Sequence, residues 1–75
     1  MFSIALRQAE HTRNYRVAAS QSFGWELTLL EDLKPTRHVH YEDWHRVERA
    51  LFTLQLEVSA LTAQGWQIES HRRQS

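Results

Sequence analysis

The sequence predicts a single α+β domain in which a short antiparallel sheet is followed by one long amphipathic helix and a brief C-terminal strand. Residues 15–41 alternate apolar and polar side chains in short runs that are separated by turn residues, which is typical of strands with one buried face. Residues 44–61 repeat apolar side chains at three- and four-residue spacings, which indicates a helix lying on a sheet. At 75 residues the chain is long enough for one hydrophobic core, so we take residues 1–75 as one domain.

The N-terminal segment, residues 1–13, has two interpretations. Phe2, Ile4 and Leu6 alternate with other residues, which indicates either an edge strand or an arm. Residues 9–14 are polar and are interpreted as a connection.

Three strands are predicted to follow as a meander, over residues 15–20, 25–30 and 36–41. The segments 21–24 and 31–35 contain glycine, proline and polar residues and are predicted to be turns. By alternation, one face of the sheet should pack on the helix and the other should be exposed to water. The residues predicted to lie on the exposed face are Arg16, Glu26, Thr28, His38 and His40.

The helix is predicted to begin at the acidic pair 42–43, because anions are favourable near a helix N-terminus. Its apolar stripe has a 3-4-3-4-3 spacing and consists of Trp44, Val47, Leu51, Leu54, Val58 and Leu61. Gly65 suits the left-handed conformation that often ends a helix. Trp66 and Ile68 then alternate with polar residues, which predicts a short strand, and residues 70–75 are expected to be a frayed tail.

Composition excludes several classes of function. The nine basic and nine acidic residues cancel, which argues against a protein that coats nucleic acid or an anionic membrane. No apolar run is long enough to cross a membrane, and the first residues lack the features of a secretory signal. The absence of cysteine fits a reducing compartment. We therefore expect a cytoplasmic protein without a membrane anchor.

Catalytic patterns are also missing from the sequence. The chain has no cysteine, and its serines lie in no nucleophile motif. Two glycines are too few for a glycine-rich phosphate loop. The carboxylate pairs at 31–32 and 42–43 are adjacent in sequence and fit a turn and a helix start. The sequence predicts a protein that is not an enzyme and needs no cofactor.

A pair of histidines is the sharpest local feature that could bind a metal. His38 and His40 lie two residues apart on a predicted strand and so point to the same face. Together with His45 they form an alternative set of ligands for zinc or another divalent ion. Because the spacing provides no well-placed third ligand, we favour a polar sheet surface on which histidine pairs with Glu26, and we predict no metal site.

Nucleic-acid binding is the alternative function, since an antiparallel sheet can stack bases and contact phosphates. The candidate phosphate contacts are Arg13, Arg16, Arg37, Arg72 and Arg73. Alternation, however, places Tyr15, Trp25 and Tyr41 on the buried side, and Glu26 on the exposed face repels phosphate. We expect weak or no binding of nucleic acid.

A second apolar stripe on the helix supports the favoured function. Phe52 and Leu56 lie opposite the core stripe, so a sheet that buries one stripe leaves the other in need of a cover. Either the N-terminal segment supplies that cover through Phe2, Ile4 or Leu6, or a second copy of the chain does. We favour a homodimer interface that consists of Phe52, Leu56, Ala60, Ala63 and Arg49. The sequence thus predicts a self-associating interaction module with an accessory or regulatory role, and it does not identify a partner protein.

Overall fold

The computed structural model describes residues 2–73, with the backbone alone for residues 72–73. Within this range, five antiparallel strands form a sheet and a 20-residue helix lies on it. The elements are β1 (Phe2–Gln8), β2 (His11–Ala19), β3 (Trp25–Glu31), β4 (Lys34–Tyr41), α1 (Trp44–Ala63) and β5 (Gln67–Arg73). The strand order is β4-β3-β2-β1-β5, so β1 to β4 form a meander and α1 carries the chain to the far edge. The predicted α+β fold is confirmed.

The N-terminal segment forms a strand, one of the two predicted alternatives, but an interior strand and not an edge strand. β1 lies between β2 and β5 and pairs with both, with Ile4 opposite Tyr15 on one side and opposite His71 on the other. The predicted connection over residues 9–14 is also wrong, because Gln8 pairs directly with His11 and only two residues form the turn. The first residues of β2 are polar, so no alternation of apolar and polar side chains indicated that a strand begins there.

The tail is ordered further than predicted, since residues 70–73 belong to β5. Ser70 pairs with Ala5, and β5 pairs with β1 from Arg7 to Phe2. Backbone hydrogen bonds to the free edge of β1 order this segment, and they need no apolar side chains. Residues 74–75 of the predicted frayed tail lie outside the described residues.

The core lies between α1 and one face of the sheet. Cross-strand pairing aligns the apolar residues of successive strands on this face, as in the pairs Ile4–Tyr15 and Val17–Leu27. The buried residues of the sheet are Ile4, Leu6, Tyr15, Val17, Leu27 and Leu29, and those of the helix are Val47, Leu54, Val58 and Leu61. Leu51 is partly buried against them, whereas Trp44 is 45% exposed and packs on Trp25 with ring centroids 5.2 Å apart.

Both ends of α1 are capped by residues that the sequence indicated. The Asp43 carboxylate accepts a hydrogen bond of 2.9 Å from the His45 amide. Asp43 is therefore the N-cap residue, just before the first turn, whereas the sequence had placed it within that turn. At the other end the amides of Gly65 and Trp66 donate to the carbonyls of Thr62 and Leu61, at 3.1 and 3.0 Å. Gly65 has a φ of +102°, a left-handed conformation that completes a Schellman motif.

The turn between β3 and β4 is tighter than predicted. It consists of Asp32 and Leu33, with φ values of +52° and +70°, while Lys34 and Pro35 already belong to β4. An irregularity in the pairing after Leu29 accommodates the extra residue of β4. Proline is tolerated there because β4 is an edge strand, so a missing amide costs no ladder hydrogen bond on its open side.

Asp32 ties this turn to the beginning of β2. Its carboxylate accepts a hydrogen bond of 2.9 Å from the Thr12 amide and lies 3.1 Å from Nδ1 of His11, while its own amide donates to the Thr12 carbonyl at 2.9 Å. The hydrogen bond from the Thr12 amide, followed by that from His11, lowers the pKa of the Asp32 carboxyl below its ordinary value of 3.8. The charged form of Asp32 is therefore favoured in the folded protein.

This shift predicts how stability depends on acid. Because the folded pKa of Asp32 is lowered, its contribution is fully present above pH 3.8 and is lost as the pH falls through the folded pKa. We expect Asp32→Asn to flatten the fall in the urea midpoint between about pH 5 and about pH 2. The control is Glu10→Gln in the β1–β2 turn, which should keep the slope of the parent. An unchanged slope in Asp32→Asn would contradict the role given to this carboxylate.

Burial separates two leucines that lie two residues apart in α1. Leu54 is 2% exposed, so Leu54→Ala should lower the free energy of unfolding by about 2–5 kcal/mol. Leu56 is 59% exposed, and in dilute protein Leu56→Ala should change the free energy of unfolding by less than about 0.5 kcal/mol. Urea denaturation followed by circular dichroism measures both. Equal losses in the two variants would show that the buried face of α1 is misassigned.

Candidate interaction surface on the helix

The side of α1 that points away from the sheet, which we call the outer face, carries two large apolar side chains. Phe52 is 64% exposed and Leu56 is 59% exposed. Four residues apart on a helix, they differ by about 40° in direction and by one turn in height, so they form one contiguous patch. The predicted position of these residues, away from the core, is confirmed.

The other residues predicted for the interface are also exposed on α1. Ala60 and Ala63 continue the outer face towards the C-terminal end, and Arg49 lies one turn before Phe52. A shallow depression in the N-terminal half is lined by His45, Glu48, Arg49, Phe52 and Thr53. The outer face therefore has a half with long side chains around a depression and a half with small side chains.

The N-terminal segment does not cover the outer face. Ile4 and Leu6 are buried in the core, where they contact α1 from the sheet side, and Phe2 packs at the edge of the same core. A side chain that lies between the sheet and the helix cannot reach the opposite surface of the helix. The alternative cover considered from the sequence is therefore wrong, and within residues 2–73 no strand packs on the outer face.

Apart from the capping carboxylate of Asp43, the first and last turns of α1 lack the charges that a helix dipole favours. The first turn contains His45 and Arg46 and no acidic residue, and the last turn contains no basic residue. A helix ordinarily favours anions at its N-terminal end and cations at its C-terminal end. Glu48 lies 3.4 Å from Nδ1 of His45, but both side chains are exposed, so this pair adds little stability.

The three histidines proposed as alternative metal ligands do not converge. His38 and His40 lie on the face of the sheet opposite the helix, whereas His45 is at the start of α1 on the other side. His38 pairs with Glu26 at 2.8 Å, as predicted for a polar sheet surface. Within residues 2–73, no group of three His, Cys, Asp or Glu side chains is arranged to hold a metal ion.

The arginines proposed to contact phosphate do not share one surface. Arg13 and Arg37 lie on the helix side of the sheet and are bound to carboxylates, Arg13 to Glu31 at 3.1 Å and Arg37 to Glu57 at 3.3 Å. Arg16 lies on the opposite face. The side chains of Arg72 and Arg73 are outside the described part of the structure. The set predicted from the sequence is thus divided between two faces, because alternation separates positions 13 and 37 from position 16.

The aromatic residues of the sheet are core residues, as predicted. Tyr15 is fully buried, and Trp25 and Tyr41 pack against the core. Burial raises the pKa of the Tyr15 hydroxyl, to which the Arg13 guanidinium donates a hydrogen bond at 3.5 Å. Arg13 also lies over the Trp66 ring, 5.4 Å from its centroid. These contacts close the core at the C-terminal end of α1.

A groove beside the helix was not foreseen from the sequence. It lies where α1 leaves part of β1 and β5 uncovered, has a volume of about 300 Å³, and is lined in part by Phe2, Gln55, Ser59, Ile68 and His71. Ile68 is 50% exposed, and Phe2 contacts His71 edge to face. The alternation of Ile68 with polar neighbours indicated a strand. It did not indicate that α1 would leave this strand uncovered, because the position of the helix depends on residues far away in the chain.

Comparisons of the chain with models of protein families, with curated proteins and with solved structures gave no match. Within residues 2–73, no helix combines the length and the apolar character needed to span a bilayer.

The geometry of the histidines predicts the response to zinc. We expect no sub-micromolar binding that depends on His38 and His40, because His38 is paired with Glu26 and the described residues place no third ligand beside them. Isothermal titration of zinc into the parent and into His38→Ala/His40→Ala should give the same weak signal. His45→Ala serves as the control, since this residue lies on the other side of the sheet. Tight binding that disappears in the double variant would establish a metal site.

Proposed function

We propose that this protein is a non-enzymatic interaction module that self-associates through the outer face of α1, with an accessory or regulatory role. The observation that carries the proposal is the contiguous exposure of Phe52 and Leu56 on a helix face that no described element covers. A two-fold axis lets one patch serve both partners, so a single pair of residues supplies both halves of the contact. A cytoplasmic location is part of the proposal and is supported by the absence of cysteine.

Burial of Phe52 and Leu56 would offset part of the free energy that association costs. Fully burying a phenylalanine or leucine side chain gains about 1.5–3 kcal/mol, and Phe52 and Leu56 each have roughly 60% of their surface left to bury. Two copies of this pair gain on the order of 4–7 kcal/mol, of the same size as the lower estimates of the free energy that association costs. Contacts from Arg49, Ala60 and Ala63 must supply the remainder. The affinity of the dimer is therefore set by how much these additional contacts contribute.

The size of the domain also supports self-association. A chain of 75 residues buries a small share of its surface, and this one has no disulfide to stabilise it. Covering the outer face would turn α1 from a helix packed on one side into a helix packed on two. A protein of this kind works by presenting surfaces, which fits the absence of a catalytic motif in its sequence.

Charge substitutions on the outer face test the proposal. Phe52→Glu/Leu56→Glu should convert a dimeric parent into a folded monomer, because a dimer would bury carboxylates of like charge against one another. Sedimentation equilibrium at high micromolar protein gives the mass, and circular dichroism reports on folding.

The matched control is Phe23→Glu/Leu33→Glu, which introduces the same two charges at exposed positions outside α1. Phe23 and Leu33 are 62% and 77% exposed, so this variant should remain dimeric. Loss of the dimer in both variants would point to a general effect of charge. A parent that is monomeric at high micromolar concentration would refute self-association.

A further inference from the structure

We propose that two copies pair their α1 helices antiparallel through their outer faces, about a two-fold axis that crosses α1 at the height of residue 54, so that Phe52 of each copy packs against the partner's Leu56. This inference rests on the proposed self-association and adds its orientation and register. The occupant of the outer face is thus a second copy of this chain, and its own outer face is the complementary surface.

The spacing of the outer face suits a helix pair. Its centre line follows a 4-3-4-3-4 repeat that consists of His45, Arg49, Phe52, Leu56, Ser59 and Ala63. This is the spacing with which one helix packs along another over several turns. The stripe runs nearly the full length of α1, so the whole helix is available for contact.

Side-chain size selects the antiparallel orientation. In the antiparallel pair the two-fold axis crosses each helix at the height of residue 54, so residues at equal distances on either side of this height face each other. Phe52 then faces the partner's Leu56, Arg49 faces the partner's Ser59, and His45 faces the partner's Ala63. Each of the last two layers then joins a long side chain to a small one, which keeps the distance between the helices even. A parallel pair would instead set like residues together, with a gap at Ala63 and two arginines in contact at position 49.

The depression on the outer face lies where this arrangement requires room. It is bordered by His45, Arg49 and Phe52, in the N-terminal half of α1. In the antiparallel register the partner's C-terminal half passes over it, and the side chains that enter are those of the partner's Ser59, Ala60 and Ala63. Small side chains allow the partner backbone to approach closely, and symmetry repeats the fit at the other end.

Charge favours the same orientation. The N-terminal half of α1 carries the guanidinium groups of Arg46 and Arg49, and its last turn has no basic residue. An antiparallel partner brings its carbonyl end, where a helix favours cations, beside these two arginines. Each helix then supplies the cations that the other lacks. In a parallel pair the arginines of the two N-terminal halves would lie side by side, and neither C-terminal end would have a cation near its carbonyl groups.

Disulfide trapping tests the orientation, and the chain is suited to it because it contains no cysteine. The double variant His45→Cys/Ala63→Cys replaces two exposed residues that lie about 27 Å apart in one helix, so they cannot join within one chain. In the antiparallel pair each new cysteine faces the other kind on the partner. Mild oxidation followed by non-reducing electrophoresis should give about ten-fold more covalent dimer than either single variant, since in the singles the two cysteines are too far apart.

Sedimentation of the reduced parent separates failure of the register from failure of self-association. A monomeric parent refutes the proposed function and this inference together. A dimeric parent whose single variants cross-link as readily as the double variant has parallel helices, and one that cross-links in none of the three uses another surface or register. Either result overturns this inference, and the parallel result leaves self-association through α1 standing.

Discussion

The contact between the apolar stripe of α1 and one face of the sheet is the interaction on which the rest of this structure depends. Every buried residue of the described chain belongs to this one layer, and none of them is polar. The chain has 75 residues and no disulfide, and residues 2–73 contain no second core that could compensate for damage to the first. The packing of residues such as Val47 and Leu54 against Leu6 and Tyr15 therefore holds α1 on the sheet.

The position of α1 follows from its two capped ends. Asp43 fixes where the helix starts, next to the end of β4, and the Schellman motif at Gly65 fixes where it stops. Between these points the helix carries the chain from one edge of the sheet to the other, so β5 meets the free edge of β1. This return closes the order of the sheet and makes the N-terminal strand an interior one, paired on both sides along its length.

The same packing leaves two surfaces of different character. The open face of the sheet carries small, polar and charged side chains, among them Asn14, Arg16 and the His38–Glu26 pair. The outer face of α1 carries Phe52 and Leu56. This exposed apolar pair, on a helix of so small a domain, is the feature on which the proposed self-association rests. The proposed module would then present both open sheet faces outwards.

Periodicity made part of this protein predictable. The stripe of α1 and the buried face of β2 and β3 were evident because a helix and a strand impose different repeats on apolar residues, and those repeats are local. Gly65 and the exposure of Phe52 and Leu56 followed from the same pattern. The start of β2 and the full length of β5 were missed, because polar segments become strands when a neighbouring edge offers hydrogen bonds, and that edge is distant in sequence.

The sequence by itself thus determined which side of each element is apolar, where the helix ends, and that α1 has a second apolar stripe. Tertiary structure decided which strands are neighbours, and so placed Arg13 and Arg37 against carboxylates on the helix side while Arg16 lies on the other face. It also decided that Ile4 and Leu6 lie beneath α1 rather than over its outer face. The physical reason is that side-chain direction depends on local backbone geometry, whereas strand order and coverage depend on contacts between residues far apart in the chain.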